Sequence, residues 1–193
     1  MAILTVTGAP RVRLLSVDTA PIPLRGLFVE GDPGPIASSL AHLPDLAPNA
    51  LAFISGALAG SWIPSRIKEI IILRMSALAG CRYCTAAHSV VALDSGLNLD
   101  QVRALRGAAP IYAAFEDERD LAVIGWCDAV HAGSESDLAM ARTVLGRYYD
   151  DGPIVELTVC ATATLMLNRY ATALRLPVSA ETLARLTREG LSA

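Results

Sequence analysis

Cys81, Cys84 and His88 stand close together in the run Cys81-Arg82-Tyr83-Cys84-Thr85-Ala86-Ala87-His88. On an α-helix that spacing puts all three on one stripe, with the imidazole a single turn from Cys84. A thiol and a base are then within reach of each other. The thiolate is the reactive form of cysteine, and both a helix N-terminus and the neighbouring Arg82 lower a thiol pKa from its usual value of about 8.5. Two cysteines three positions apart can also close a disulfide across one turn once one of them is oxidised. The chemistry these residues point to is thiol redox chemistry.

Glu69 lies twelve residues before Cys81, about 18 Å along an unbroken helix, so it reaches this group only if the chain reverses. Ala79-Gly80 is the place for a reversal. A turn there brings Glu69 back toward His88, where a carboxylate would fix the imidazole tautomer and accept a proton in relay. A second reading makes Glu69 a structural carboxylate inside an oligomer, since Glu156 occupies a matching place with no cysteines nearby.

The elements that must position these residues read as helices. Residues 1–35 hold Pro10, Pro21, Pro23, Pro33 and Pro35 and form an extended, irregular arm, with Val12 to Val17 its one plausible strand. Such an arm must lie on a surface, and an oligomer contact would supply one. Residues 36–193 read as a single helical domain. The pattern is helical from Ile36, broken at Pro44 and Pro48, and resumes from Asn49 to about Leu58. Ser65 is the expected N-cap of a helix that carries Glu69, runs through Leu78 and is apolar on nearly every side, hence buried. The next helix starts near Cys81, runs to Asp94 and ends at Gly96. Further helices are expected over about 100–105, 116–131, 137–149, 153–174 and 180–188. No strand pattern competes beyond the arm, so the fold class is all-α.

A shift of the chain against itself aligns Glu69 with Glu156, and Cys81-Arg82-Tyr83-Cys84 with Asn168-Arg169-Tyr170-Ala171. Both copies are apolar between the Glu and the Arg-Tyr pair, which points to duplication of a two-helix unit. Asn168, Ala171 and Arg175 stand where Cys81, Cys84 and His88 stand in the first copy, so one copy carries reactive groups and the other packs.

Composition bounds the remaining possibilities. The chain has 193 residues, 53% of them hydrophobic and 18% charged, which leaves little polar surface for a monomer and favours a homo-oligomer. Its longest apolar runs are interrupted by Arg74 and Glu156 and fall short of the roughly 20 residues that span a bilayer. Met1 to Leu15 contains a proline and two arginines where a signal peptide needs an apolar stretch, so a cytoplasmic protein is expected. The net charge of −3, with arginines spread along the chain, lacks the footprint of a nucleic-acid binder. Four cysteines are too few and too unevenly spaced for a disulfide scaffold. No bound cofactor is expected.

Taken together, Glu69, Cys81, Cys84 and His88 at their spacing resemble the signature of the alkylhydroperoxidase AhpD-like proteins of the carboxymuconolactone decarboxylase superfamily. The strong match covers Pro64 to Gly96, and a looser one extends from Leu40 to about Leu176, including the Asn168-Arg169-Tyr170 segment. The arm lies outside it. The resemblance implies a helical bundle, assembly into dimers, trimers or hexamers, and peroxide reduction recycled by a dithiol reductant such as a lipoyl or thioredoxin-like protein. It further implies that Cys84 attacks peroxide, that Cys81 resolves the sulfenic acid as a disulfide, and that His88 and Glu69 relay the proton. One position departs from the pattern: well-studied AhpD peroxidases tend to have a histidine just before the second cysteine, and this chain has Tyr83. A phenol with a pKa near 10 is a poor proton carrier at neutral pH, which leaves the oxidant open.

Other readings stay beside this one. Another enzyme of the superfamily, a decarboxylase or a disulfide reductase, would keep the fold. A structural zinc module would use Cys81, Cys84 and His88 as ligands, but three ligands from one helix are unlike common zinc motifs. A non-catalytic oligomeric scaffold would keep the fold without the activity. Cys127 and His131 repeat a thiol-base spacing but read as packing, Cys160 reads as core, and His42 has no partner visible in sequence.

Overall fold

The computed structural model describes residues 8–29 and 31–192, and among these the architecture is entirely helical. Nine α-helices follow one another: α1 (Pro35–Leu40), α2 (Ala47–Leu58), α3 (Ser65–Leu78), α4 (Arg82–Asp94), α5 (Leu99–Leu105), α6 (Glu118–Ala132), α7 (Glu135–Leu145), α8 (Asp151–Leu174) and α9 (Ala180–Arg188). No described helix is long and apolar enough to cross a membrane.

The centre is α3, as its apolar circumference requires. Ile70, Ile71, Leu73 and Met75 are fully buried, each contributing about 1.5–3 kcal/mol of apolar burial, and the helix packs against α4, α6 and α8. Its charged residues are paired within the same packing, each with a specific partner. Arg66 and Arg74 make two-pronged ion pairs with Asp120 and Asp128 on α6. Both pairs have the same sequence offset, so α3 and α6 run parallel and in fixed register. Lys68, 1% exposed, reaches α8 instead, with its Nζ 2.9 Å from Glu156 Oε1 and donating to the Ala57 carbonyl at 3.0 Å.

The arm differs from expectation. Val12 to Val17 forms no strand, because no partner strand is available to pair with it, and Ile22–Phe28 is a short 3-10 helix. Leu15, Ala20, Leu24 and Phe28 bury themselves with Leu40, Ala41 and Ala47 in a small second core. Polar ties also hold the arm down: His42 Nε2 bonds the Arg13 carbonyl at 2.7 Å, the Arg11 side chain donates to the carbonyls of Thr172 and Ala173 at the end of α8, and the amides of Arg11 and Leu15 donate to the carbonyls of Leu174 and Ser38 at 2.9 and 3.1 Å. The residues of the arm before Gly8 lie outside the described part.

Two further expectations need correction. Ser65 is the first residue of α3 and caps nothing; the N-cap is Pro64, whose ring carries no hydrogen-bonding group. The duplicated two-helix unit is also absent. Glu156 through Ala171 lie on the single uninterrupted helix α8, whereas the matching first stretch is α3, a turn and α4. At the turn the first stretch has Gly80, with φ of 65°, and the aligned residue in the second is Leu167, whose Cβ disfavours that conformation and continues the helix.

Candidate active site

The turn between α3 and α4 is built from backbone hydrogen bonds. The Gly80 amide donates to the Ala77 carbonyl at 3.1 Å and the Cys81 amide to the Ser76 carbonyl at 3.0 Å, the paired bonds that end a helix at a left-handed glycine. Cys81, the residue that closes α3 in this way, is at once the N-cap of α4. Its sulfur accepts the amide of Cys84 at 3.3 Å, the bond a Ser or Asp side chain makes at other helix starts. Both cysteines therefore sit at the positive end of α4, where a thiolate is favoured. The Cys81 and Cys84 sulfurs face each other as a disulfide pair, with their Cα atoms 5.4 Å apart.

Reversal at Gly80 sets α4 alongside α3 and closes the distance that separates Glu69 from the cysteines in sequence. Glu69 Oε2 lies 2.9 Å from His88 Nδ1. An ionised carboxylate only accepts, so Nδ1 carries the proton and Nε2 is left as the basic nitrogen. The Glu69 side chain is 9% exposed and that of His88 25%, so the imidazole is the solvent-facing member of the pair.

Cys84 and His88 share a cavity of about 240 Å³ with Ser76, Tyr83 and Asn168 and with apolar side chains from α1, α2 and α3. Cys81 lines a separate cavity of about 480 Å³ on the other side of Tyr83, against the end of α8. Tyr83 lines both. Burial, with a smaller contribution from Asp32, pushes its phenol above the ordinary value, so it is less able to carry a proton than a free phenol.

Sequence reasoning placed Asn168 among residues that only pack. In the structure it is buried beside the site: its Oδ1 accepts from Ser76 Oγ at 3.0 Å, and its Nδ2 has no partner among the described residues. A buried donor without a partner costs about 1–3 kcal/mol. The available signal was a lone amide inside an apolar helix.

The remaining candidates fall elsewhere. Cys127 and Cys160 are free and fully buried in the main core. Burial is the main cause that raises both thiols, Cys160 to about 12 and Cys127 well above its usual range, so neither offers thiolate at neutral pH. His131 sits in the last turn of α6 and makes no contact with the site. Among the described residues no group of three His, Cys, Asp or Glu side chains converges to hold a metal ion, and Cys81, Cys84 and His88 form no such set.

Residues 44–129 match the carboxymuconolactone decarboxylase family, a span that contains Glu69, Cys81, Cys84 and His88. No protein of curated function matches the sequence. Among solved structures, the chain is similar to an Agrobacterium tumefaciens protein of unknown function proposed to be the antioxidant defence protein AhpD, at 25% identity over 73% of this chain and 97% of that one, with a TM-score of 0.63. It is similar in fold to an uncharacterized peroxidase-related protein from Silicibacter sp. TM1040, at 16% identity over 94% and 97% of the two chains, with a TM-score of 0.75. The debrominase Bmp8 in complex with 2,3,4-tribromopyrrole shares the fold at 22% identity, covering 81% of this chain and 82% of that one, with a TM-score of 0.68.

Proposed function

We propose, from the premise that this chain is an AhpD-like member of the carboxymuconolactone decarboxylase superfamily, that it is a thiol-dependent peroxidase. The observation that carries the reading is that Cys84 and His88 line one small cavity while Glu69, from the neighbouring helix, holds the His88 ring from behind. The Cys84 thiolate attacks a peroxide oxygen and the O–O bond breaks. Cys84 becomes a sulfenic acid, and the departing alkoxide takes a proton by way of His88, whose charged form Glu69 stabilises. The Cys81 thiol then attacks the Cys84 sulfur, a disulfide forms, and the hydroxyl leaves as water with the Cys81 proton. Two thiols of a dithiol reductant, a lipoyl or thioredoxin-like protein, return both cysteines to the reduced state. The Asn168 amide is placed to donate to a peroxide oxygen.

The cavity favours an organic over an inorganic peroxide, since Ile36, Leu51, Ile54 and Ile72 line it. Reduction of a disulfide substrate by the same dithiol is the second reading, supported by a half-buried Tyr83 where AhpD peroxidases tend to have a histidine. A cycling dithiol also suits the reducing cytoplasm. The deciding experiment follows consumption of cumene hydroperoxide with dithiothreitol as electron donor. The expected result is turnover that vanishes in Cys84→Ser, and a Cys81→Ser variant whose Cys84 is trapped by a sulfenic-acid probe. Retention of activity by Cys84→Ser would sink the reading, and turnover of a disulfide but not of the peroxide would install the second.

We further propose a homo-oligomer of two, three or six chains. Val155, Val159 and Met166 form an exposed apolar stripe on α8, and Phe53 and Trp62 are exposed beyond it. Light scattering at micromolar concentration is expected to return one of these masses, and a monomer would refute the assembly.

A further inference from the structure

The two sulfurs of the redox pair face different surroundings. The cavity at Cys84 is mostly apolar and without a formal charge other than His88, its one basic group. The cavity at Cys81 is lined by Arg11, Arg82 and Arg175 and contains no Asp or Glu. This is notable in a chain whose net charge is −3. Among the described residues none of these three arginines forms an ion pair with a carboxylate.

Each cation reaches the place by its own route. Arg82 is the first residue of α4 and is exposed. Arg175 ends α8 in the left-handed conformation, with φ of 54°, the one described non-glycine residue with positive φ. Its guanidinium lies so close to Gly8 that a Cβ there would collide with it. Arg11 comes from the arm and caps the α8 carbonyls. A concave site with three cations and no anion sets up a positive potential that draws and orients an anion.

Resting on the dithiol reading above, we propose that this cavity receives the reductant, and that the thiol entering it carries a carboxylate near its sulfur, which selects a thioredoxin-like dithiol over a lysine-linked lipoyl group, whose carboxyl is an amide. The reductant thiolate attacks Cys81 Sγ, forming a mixed disulfide. The Cys81–Cys84 bond breaks, and Cys84 leaves as a thiolate beside His88 in the other cavity. A second reductant thiolate attacks the mixed disulfide, forms the oxidised reductant and releases Cys81 as a thiolate, which takes up a proton from water. Two electrons pass from the two reductant thiols to the two cysteines. The arginines hold the carboxylate through charge-assisted hydrogen bonds. Tyr83 stands between this route and the peroxide side.

The test uses three small thiols that differ in charge: 3-mercaptopropionate, 2-mercaptoethanol and cysteamine. Each reduces the oxidised full-length protein, and the rate of appearance of free Cys81 and Cys84 is corrected for the thiolate fraction of each reagent. Wild type is expected to react about tenfold faster with the anionic than with the neutral thiol, and slowest with the cationic one. Added salt should shrink the preference. In the Arg82→Gln/Arg175→Gln variant the ratio should fall toward one, while Arg82→Lys should keep most of it. Equal rates with anionic and neutral thiols in wild type, or a ratio unchanged in the double variant, overturns the proposal and leaves the dithiol reading standing. Failure of every thiol to reduce the pair overturns both.

Discussion

Glu69 and Glu156 each head a stretch of similar sequence with an Arg-Tyr pair thirteen residues further on, and the two carboxylates do different work. Glu69 meets His88 across the reversal at Gly80, on the edge of a cavity that Cys84 lines. Glu156, on an unbroken helix, faces the buried ammonium of Lys68 and accepts the amides of Trp62 and Ile63 at 3.1 and 3.4 Å, tying down the loop before α3. Trp62 also packs on Gly152 so closely that a Cβ there would collide with its ring. The same residue in the same sequence setting thus becomes a proton-relay candidate or a structural anchor according to whether the chain turns.

The comparison breaks first on activity. His88→Ala and Glu69→Gln should each lower peroxide turnover by about 10²-fold or more, because positioned acid-base groups contribute 10²–10⁴. Glu156→Gln should keep turnover near wild type at temperatures where it is folded. Comparable losses from Glu69→Gln and Glu156→Gln would mean that the relay assignment is mistaken.

Stability should show the reverse order. Glu156→Gln leaves Lys68 buried without a counter-ion and should cost about 3 kcal/mol in urea unfolding at pH 7. Burial pushes the Glu156 carboxyl up, but the Lys68 hydrogen bond and charge and the two amides outweigh it, and its pKa lies below the ordinary value. A carboxyl whose pKa is depressed by folding stabilises the fold above its unfolded pKa, near 4.3, and that contribution disappears as pH falls through the folded value. The gap between wild type and Glu156→Gln should therefore be full at pH 7 and narrow below about pH 4. A gap that widened on acidification would contradict the ion pair.

The smallest effect tests the turn. Nothing lies within 4 Å of a Cβ at Gly80, so Gly80→Ala should cost only the backbone penalty at φ 65°, about 1 kcal/mol. A cost near zero in urea melts would show that the left-handed glycine does not hold the reversal.

Much of this arrangement could be read from residue order. Apolar periodicity and the glycines after Ala79 and Ser95 located α3 and α4, and the spacing of Glu69, Gly80 and His88 was enough to foresee the carboxylate-imidazole contact. Sequence misled where a local pattern had two outcomes. The apolar residues of Val12 to Val17 suit a strand, but without a neighbour to bond they run as irregular chain, Leu15 packing into the small core with α1 and α2, Leu14 against the two cysteines, and Val17 exposed. The second Glu-to-Arg-Tyr stretch looked like a second helix pair because a residue-by-residue match does not reveal that Leu167, unlike Gly80, keeps the helix going. Asn168 and the three arginines were hidden for another reason. They come from α8, α4 and the arm, and only the folded chain brings them to the two sulfurs.

The parallel forks of Arg66 and Arg74 on α6, with Lys68 reaching α8, fix how α3 is rotated about its own axis. The apolar residues between them have no such directionality: one aliphatic side chain can replace another of similar volume with modest repacking. This inverts the usual expectation of where a protein is free to vary. Here the oily interior of the central helix has latitude to drift, while its few charges act as the keys that set its angle and, through that angle, aim Glu69 at His88.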